Sequence, residues 1–229
     1  MIPRQKELFK NIVEEYIKTA QPVGSKLVVD KFNLDISPAT VRNDMRELEE
    51  QDLIISPHTS AGRIPTEDGY KYFVENYINL DDELNQVERN KILEYVGTLR
   101  GMSDVDDIKI LAKIISEKSG LLVFVAFDKN NFYYTGLSNL FSQPEFQNLN
   151  LIYNISEVVD HLDEVISKIY DTINSEDKVI IKIGKDNLFS ADCSVIMIKI
   201  KNNLIGIVGP TRMNYQKNVK LINFVKNVL

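Results

Sequence analysis

The 229-residue sequence predicts an α+β fold, in which an N-terminal winged helix-turn-helix is followed by helices and then by an antiparallel sheet. Three observations support this prediction. Residues 1–66 hold three segments with apolar side chains at helical spacing, followed by a hairpin pattern. Residues 81–118 keep the helical spacing. After Gly120 the pattern changes to apolar runs typical of strands, so we expect a sheet with helices on one side.

Size and composition fit two compact domains, each large enough to bury its own core. Hydrophobic residues make up 44% and charged residues 26% of the chain, which is ordinary for a globular protein. No apolar run approaches the roughly 20 residues of a membrane span, and the N-terminus lacks an apolar signal region. We therefore expect a cytoplasmic protein without membrane contact.

The charged and reactive residues exclude several classes of function. A net charge of −6 argues against a protein that binds nucleic acid indiscriminately, so DNA binding would need a local basic surface. Two histidines and one cysteine give no cluster at metal-ligand spacing, and no nucleophile–base set stands out. We expect no metal, no cofactor and no enzymatic activity. Cys193 is expected to be a small buried hydrophobe.

The central prediction is a helix that begins at Pro38 and runs to about Gln51. Ser37 is a strong N-cap, and proline is favoured at the first helical position. One buried stripe is formed by Val41, Met45 and Leu48. The opposite face is small, polar and basic at its N-terminal end, through Ala39, Thr40, Arg42, Asn43 and Arg46. Arginine reads guanine and asparagine reads adenine, so this profile is typical of a helix in the DNA major groove.

A short hairpin follows this helix and is predicted to be a wing. Residues 53–55 and 63–65 indicate two strands, and Gly62 is expected to close the loop with a positive φ. The hairpin contains His58 and Arg63 and no carboxylate, as expected for a wing resting on phosphates or in the minor groove. The alternative is a solvated surface helix beside an ordinary hairpin.

The remaining N-terminal elements complete the winged helix-turn-helix. A first helix is predicted from about Arg4 to Thr19. Ser25 is expected to cap a short second helix, with Leu27, Val28 and Phe32 packed under the first. Thr66 is expected to cap a fourth helix.

The C-terminal part is predicted to alternate helices and strands. Helical spacing over residues 81–118 is interrupted at residues 100–102, with a capping pattern at Ser103. Helices are also expected over residues 157–173 and 215–228, and strands over residues 121–127, 132–135, 178–183, 193–200 and 203–208. Before the last helix, Arg212 either offers an anion site or pairs with a neighbouring carboxylate, with Thr211 as the helix cap.

Six ordered stretches carry a resemblance to a known family: TAQPVGS (19–25), SPATVRNDM (37–45), PHTSAGRIPT (57–66), GY (69–70), LFSQPEF (140–146) and GPTRMNY (209–215). The chain resembles the heat-inducible transcription repressor HrcA family. The resemblance implies a winged helix-turn-helix over residues 1–80, a helical linker over 81–118 and a GAF-like domain over 119–229. Members are longer and carry an inserted dimerisation domain before the stretch at 142–146, so the insertion is expected to be absent here.

The resemblance also implies a function. The chain would be a sequence-specific DNA-binding repressor of chaperone genes that recognises an inverted-repeat operator as a homodimer, with a GroEL-type chaperonin keeping it active. From the residues themselves, base contacts are expected from Thr40, Arg42, Asn43 and Arg46, and phosphate contacts from Ser37, His58, Thr59, Ser60 and Arg63. Two alternatives stay open: a regulator gated by a small molecule in the GAF-like domain, and a winged helix used only for protein contacts.

Overall fold

The computed structural model describes residues 1–33, 35–58, 61–96, 105–147, 160–173 and 177–229. The chain forms two compact units, Met1–Ile78 and Asn79–Leu229. Among the described residues, no helix combines the length and the apolar character needed to cross a bilayer. The division predicted at residues 80 and 118 stays a prediction.

The first unit is a helix-turn-helix with a small hairpin. Its elements are α1 (Pro3–Thr19), α2 (Ser25–Phe32), α3 (Pro38–Glu50), β1 (Ile54–Ile55), β2 (Ile64–Pro65) and α4 (Glu67–Tyr77). The α1 helix contributes Leu8, Phe9, Ile12 and Val13 to the core. Thr66 caps α4 by accepting a hydrogen bond from the Gly69 amide, as predicted. The predicted order of elements is confirmed.

Two expectations for α2 are wrong. The N-cap is Gly24, and Ser25 is the first helical residue. Leu27 is exposed, so Val28 is the buried residue of this eight-residue helix. A helix of about two turns presents too narrow a face to bury both neighbouring apolar residues.

Gly62 does not have the predicted positive φ, which occurs instead at Gly120, Gly136 and Gly184 among the described glycines. Arg63 exchanges two backbone hydrogen bonds of 2.9 Å with Val23, which brings the 23–24 backbone against the wing. A Cβ atom at Gly62 would lie 2.4 Å from the carbonyl carbon of Val23. Glycine is required here for this close approach of two backbones.

The second unit is built on a five-stranded antiparallel sheet with strand order β4-β3-β7-β6-β5. Its elements are α5 (Gln86–Val96), α6 (Val105–Ser119), β3 (Leu122–Ala126), β4 (Phe132–Thr135), α7 (Leu137–Phe141), a 3₁₀ turn (Pro144–Gln147), α8 (Leu162–Thr172), β5 (Ile180–Ile183), a second 3₁₀ turn (Gly184–Asp186), β6 (Cys193–Ile200), β7 (Asn203–Pro210) and α9 (Tyr215–Val228). The predicted break at 100–103 and residues 157–159 of the predicted helix lie outside the described residues.

Helices cover both faces of the sheet, which corrects the prediction of helices on one side. Residues Leu122 and Phe124 belong to a core shared with α7 and α8. The alternate residues Val123 and Val125 are also fully buried, on the face where α6 and α9 pack. Strands buried on both faces have continuous apolar runs, so the run at residues 121–127 already contained this information.

An ion pair joins two of the stretches that carry the family resemblance. Arg212 donates through Nη2 to Oε2 of Glu145 at 3.2 Å and through Nε to Oε1 of the same carboxylate. Gln143 accepts a second Nη2 hydrogen bond at 3.3 Å. The carboxylate-pairing alternative for Arg212 is therefore the correct one. Asn214, rather than Thr211, caps α9 by accepting from the amide of Lys217.

Candidate nucleic-acid interface

The α3 helix is fixed at its start by the predicted cap. The Ser37 hydroxyl accepts a hydrogen bond from the Thr40 amide at 3.1 Å, and Pro38 occupies the first turn. The predicted inner stripe of Val41, Met45 and Leu48 is buried. Arg42, Asn43 and Arg46 are exposed. The helix therefore presents the side chains expected to read bases away from its own core.

Asp44 is a buried carboxylate on α3 that the sequence analysis missed. Arg4 of α1 donates to it twice, from Nε to Oδ2 at 2.8 Å and from Nη2 to Oδ1 at 2.9 Å. The pairing raises the pKa of Arg4, through the hydrogen bond and the charge of Asp44. Asp44 lies between Val41 and Leu48 at the spacing of the apolar stripe, and an acid at such a position signals a buried partner. This pair fixes α3 against α1.

Glu49 of α3 makes the second ion pair of the interface, with Arg63 of the wing. Its Oε2 accepts from Arg63 Nε at 3.1 Å and lies 2.9 Å from Nη2. Its Oε1 accepts from the amide of Ser56 at 3.0 Å. The hairpin itself contains no carboxylate, but α3 supplies one. Arg63 is thus already paired within the protein.

Three arginines line a groove between α3, the start of α2 and the wing. The groove has a volume of about 540 Å³. The three arginines are Arg42, Arg46 and Arg63. Arg42 donates from Nε to the Ser25 hydroxyl at 3.3 Å. Nε of Arg46 lies 3.8 Å from Oε1 of Glu50, and both side chains are about 70% exposed. Because the pair is exposed, it holds Arg46 only weakly. The groove combines positive charge with backbone from Gly24 and Gly62.

The other predicted contact residues are placed less directly. Ser37 and Thr40 lie at the start of α3, with their hydroxyl oxygens 3.0 Å apart. His58 is exposed, and its carbonyl accepts from the Ser56 hydroxyl at 2.7 Å. Thr59 and Ser60 lie outside the described residues. The structure brings three of the nine predicted residues, the arginines, into one groove.

A cavity of about 410 Å³ in the second unit lies beside α8, β5 and β6. Its lining is largely apolar, with contributions from Ile169, Ile173, Ile180, Val195 and Met197. The buried polar side chain in it, Asn187, donates to the carbonyls of Gly184, Ser190 and Cys193 and accepts from two amides. Among the described residues, no group of three His, Cys, Asp or Glu side chains is arranged to hold a metal ion.

Comparisons with known proteins agree with this geometry. A family model described as a DeoR-like helix-turn-helix domain matches residues 11–67, which include α2, α3 and the hairpin. The heat-inducible transcription repressor HrcA of Pseudarthrobacter chlorophenolicus is 47% identical over 106 residues, covering 46% of this chain and 30% of that protein. The helix-turn-helix expectation is confirmed.

Longer alignments extend over nearly the whole chain. The heat-inducible transcription repressor HrcA of Acetivibrio thermocellus is 27% identical, with 98% of this chain and 94% of that protein covered. This alignment has 330 positions, so at least 101 of them lack a residue of the 229-residue chain. The finding agrees with an insertion that is absent here, whereas its position before Ser142 stays a prediction.

A solved structure confirms the fold. A crystal structure titled as that of a hypothetical protein superimposes with a TM-score of 0.76, at 17% identity, over 99% of this chain and 97% of that one. A further family model, described as the HrcA protein C terminal domain, matches residues 73–219, which is well over half of the chain. The chain therefore belongs to the HrcA family.

Proposed function

We propose that this chain is a transcription repressor of heat-shock genes that binds double-stranded DNA through α3 and the wing. One observation supports this most directly: Arg42, Asn43 and Arg46 are exposed on α3, while Asp44 and Glu49 of the same helix are engaged by arginines of the first unit. The α3 sequence has more acids than bases, yet its outer surface is basic toward the N-terminal end. Base contacts from Arg42 and Asn43 suit guanine and adenine.

Phosphate contacts are assigned to Ser37, His58, Thr59, Ser60 and Arg63, with Thr40 and Arg46 next to the bases. The groove supports the assignments of Arg46 and Arg63, which both line it. With a net charge of −6, non-specific affinity is expected to be modest, so specificity rests on the geometry of few contacts.

The operator is an inverted repeat read by a homodimer. One recognition helix reads a short half-site, and two-fold symmetry of the protein matches two-fold symmetry of the DNA. Relatives named heat-inducible transcription repressors support heat-shock genes as the targets, and we propose that these are chaperone genes. A GroEL-type chaperonin that keeps the repressor active, a cytoplasmic location and the absence of enzymatic activity complete the proposal.

The comparisons do not favour a regulator gated by a small molecule. The cavity beside α8 has the size of a ligand site, but its buried amide, Asn187, is bonded to the protein backbone. A winged helix used only for protein contacts would enrich no sequence from a pool of random duplexes.

The test is selection of duplexes from a random DNA pool, followed by affinity measurements. The expected result is an inverted repeat that binds at least about 1,000 times more tightly than random DNA, as specific complexes do. Addition of GroEL-type chaperonin is expected to increase the bound fraction. Sedimentation with and without the selected duplex measures the oligomer. Failure to enrich any sequence contradicts the repressor function, and a monomer at micromolar concentration on the duplex contradicts the homodimer.

A further inference from the structure

Glu49 of α3 forms side-chain hydrogen bonds to both sides of the wing. Its two carboxylate oxygens divide between the strands: Oε1 accepts from Ser56, which follows β1, and Oε2 accepts from Arg63, which precedes β2. The Glu49 and Arg63 side chains are only 32% and 24% exposed. A partly buried carboxylate that accepts two hydrogen bonds, one of them within an ion pair, is held more firmly than an exposed surface pair.

The hairpin needs such an anchor because its own ladder is short. The paired residues are Ile54 with Pro65 and Ile55 with Ile64. One further bond extends this ladder, from the Thr66 amide to the Leu53 carbonyl at 3.2 Å. An isolated two-stranded hairpin is marginally stable in water. The angle between wing and α3 therefore depends on contacts outside the ladder.

The charge of Glu49 is unfavourable for DNA binding. It lines the same groove as Arg42, Arg46 and Arg63, where a phosphate backbone is expected to approach. An acid on such a surface repels DNA, so on charge alone its removal should strengthen binding. The exposed neighbour Glu50 shares this disadvantage but has only a weak contact with Arg46.

We infer that Glu49 is a positioning residue for DNA binding. It holds the wing at a fixed angle to α3, so that base contacts from α3 and phosphate contacts from the wing form together. The inference rests on the proposed function and adds a residue that contacts no base. Removal of Glu49 is therefore expected to weaken DNA binding, whereas its negative charge alone predicts stronger binding. The direction of the change in affinity tests the inference.

The experiment compares Glu49→Gln with the matched control Glu50→Gln on the duplex selected for the wild type. Both variants remove one negative charge from adjacent positions of α3. Glu49→Gln keeps the size of the side chain but replaces one acceptor of Arg63 with an amide donor. The expected result is about tenfold weaker binding for Glu49→Gln and equal or tighter binding for Glu50→Gln. The salt slope of the Glu49→Gln complex should fall by about one, since a wing phosphate contact is lost.

A measurement without DNA separates positioning from misfolding. Hydrogen exchange at the Ser56 amide, which donates to Glu49, should be at least tenfold faster in Glu49→Ala, a variant that leaves this amide without the carboxylate, while amides of α1 keep their wild-type rates. Equal or tighter binding by Glu49→Gln, or unchanged exchange at the Ser56 amide in Glu49→Ala, would overturn the inference. If the wild-type protein prefers no duplex, the proposed function fails. If the wild type selects a duplex and Glu49→Gln binds it equally well, only the positioning role of Glu49 fails.

Discussion

Arg212 and Glu145 lie 67 positions apart in the sequence and form a two-point ion pair within the second unit. The pair connects the loop after β7 to the 3₁₀ turn at Pro144–Gln147. Gln143 adds a bond from its amide to the carbonyl of Gly120 at 3.1 Å. Three separate chain segments are thus joined by polar side chains that fall in the family-like stretches, which gives those stretches a structural role.

Replacement of Arg212 by alanine is expected to destabilise the second unit by about 2 kcal/mol, because hydrogen bonds to charged groups contribute on this scale. The Arg212 side chain is 11% exposed and that of Glu145 is 22% exposed, so water replaces the lost partner only in part. Urea denaturation measures the change. The exposed Lys129→Ala serves as the control and should change stability by less than about 0.5 kcal/mol. Equal midpoints for the two variants would contradict the prediction.

Gly62→Ala is expected to disrupt the wing, whereas Gly24→Ala should not. A Cβ atom at Gly62 would meet the Val23 backbone at 2.4 Å, but one at Gly24 meets nothing within 4 Å. The clash should cost about 1–3 kcal/mol, as other overpacked sites do, and weaken operator binding. Alanine is a poorer N-cap residue than glycine, so Gly24→Ala should cost up to about 1 kcal/mol without disturbing the wing. Thermal unfolding and operator titration of both variants measure this difference. Wild-type stability and DNA affinity in Gly62→Ala would refute the prediction.

The order of elements was predictable because it depends on local patterns. Ser37-Pro38 marks the start of α3, Thr66 marks the start of α4, and strand β4 has its predicted bounds at Phe132–Thr135. Each signal lies within a few residues of the feature that it predicts. The nine predicted contact residues follow from the same local reasoning, and their roles stay predictions.

The ion pairs were not predictable in the same way. Arg4 and Asp44 are 40 positions apart, and their pairing depends on how α1 crosses α3. The same holds for Glu49 and Arg63, although they are only 14 positions apart. Gly62 was recognised as special but for the wrong reason, since the approach of the Val23 backbone is a tertiary feature. Sequence patterns identify which residues are polar, but not which partner each one meets.

Cys193 is expected to be inert in the folded protein. It is 1% exposed, and burial raises the pKa of its thiol to about 12 from 9.0. The thiolate is the reactive form, so labelling by a disulfide reagent at pH 8 should follow global unfolding. Labelling rates with and without urea measure this. Reaction in native buffer at the rate of a free thiol would contradict the burial of Cys193.

The same pKa shift gives a pH dependence with a definite sign. Below pH 9 the thiol is protonated in both the folded and the unfolded chain, so its contribution to stability is complete. Between pH 9 and about 12 the unfolded chain loses the proton while the folded chain keeps it, so stability falls as pH rises. Cys193→Ala should show a shallower decline over this range. An identical decline in both proteins would assign it to other groups.

Base reading by α3 is tested by Arg42→Ala and Asn43→Ala. Each should reduce discrimination between the selected duplex and its single-base variants by about 1–3 kcal/mol, the value of a paired base contact. The loss should concentrate at one base pair per half-site, because each side chain reaches one position.

A phosphate contact would instead weaken binding to all sequences alike and lower the salt slope. Arg63→Ala is the matched comparison, since this arginine belongs to the wing and is expected to show that second pattern. Titration of the three variants against a panel of single-base changes distinguishes the two patterns, and full retention of discrimination by both α3 variants would remove base reading from this helix.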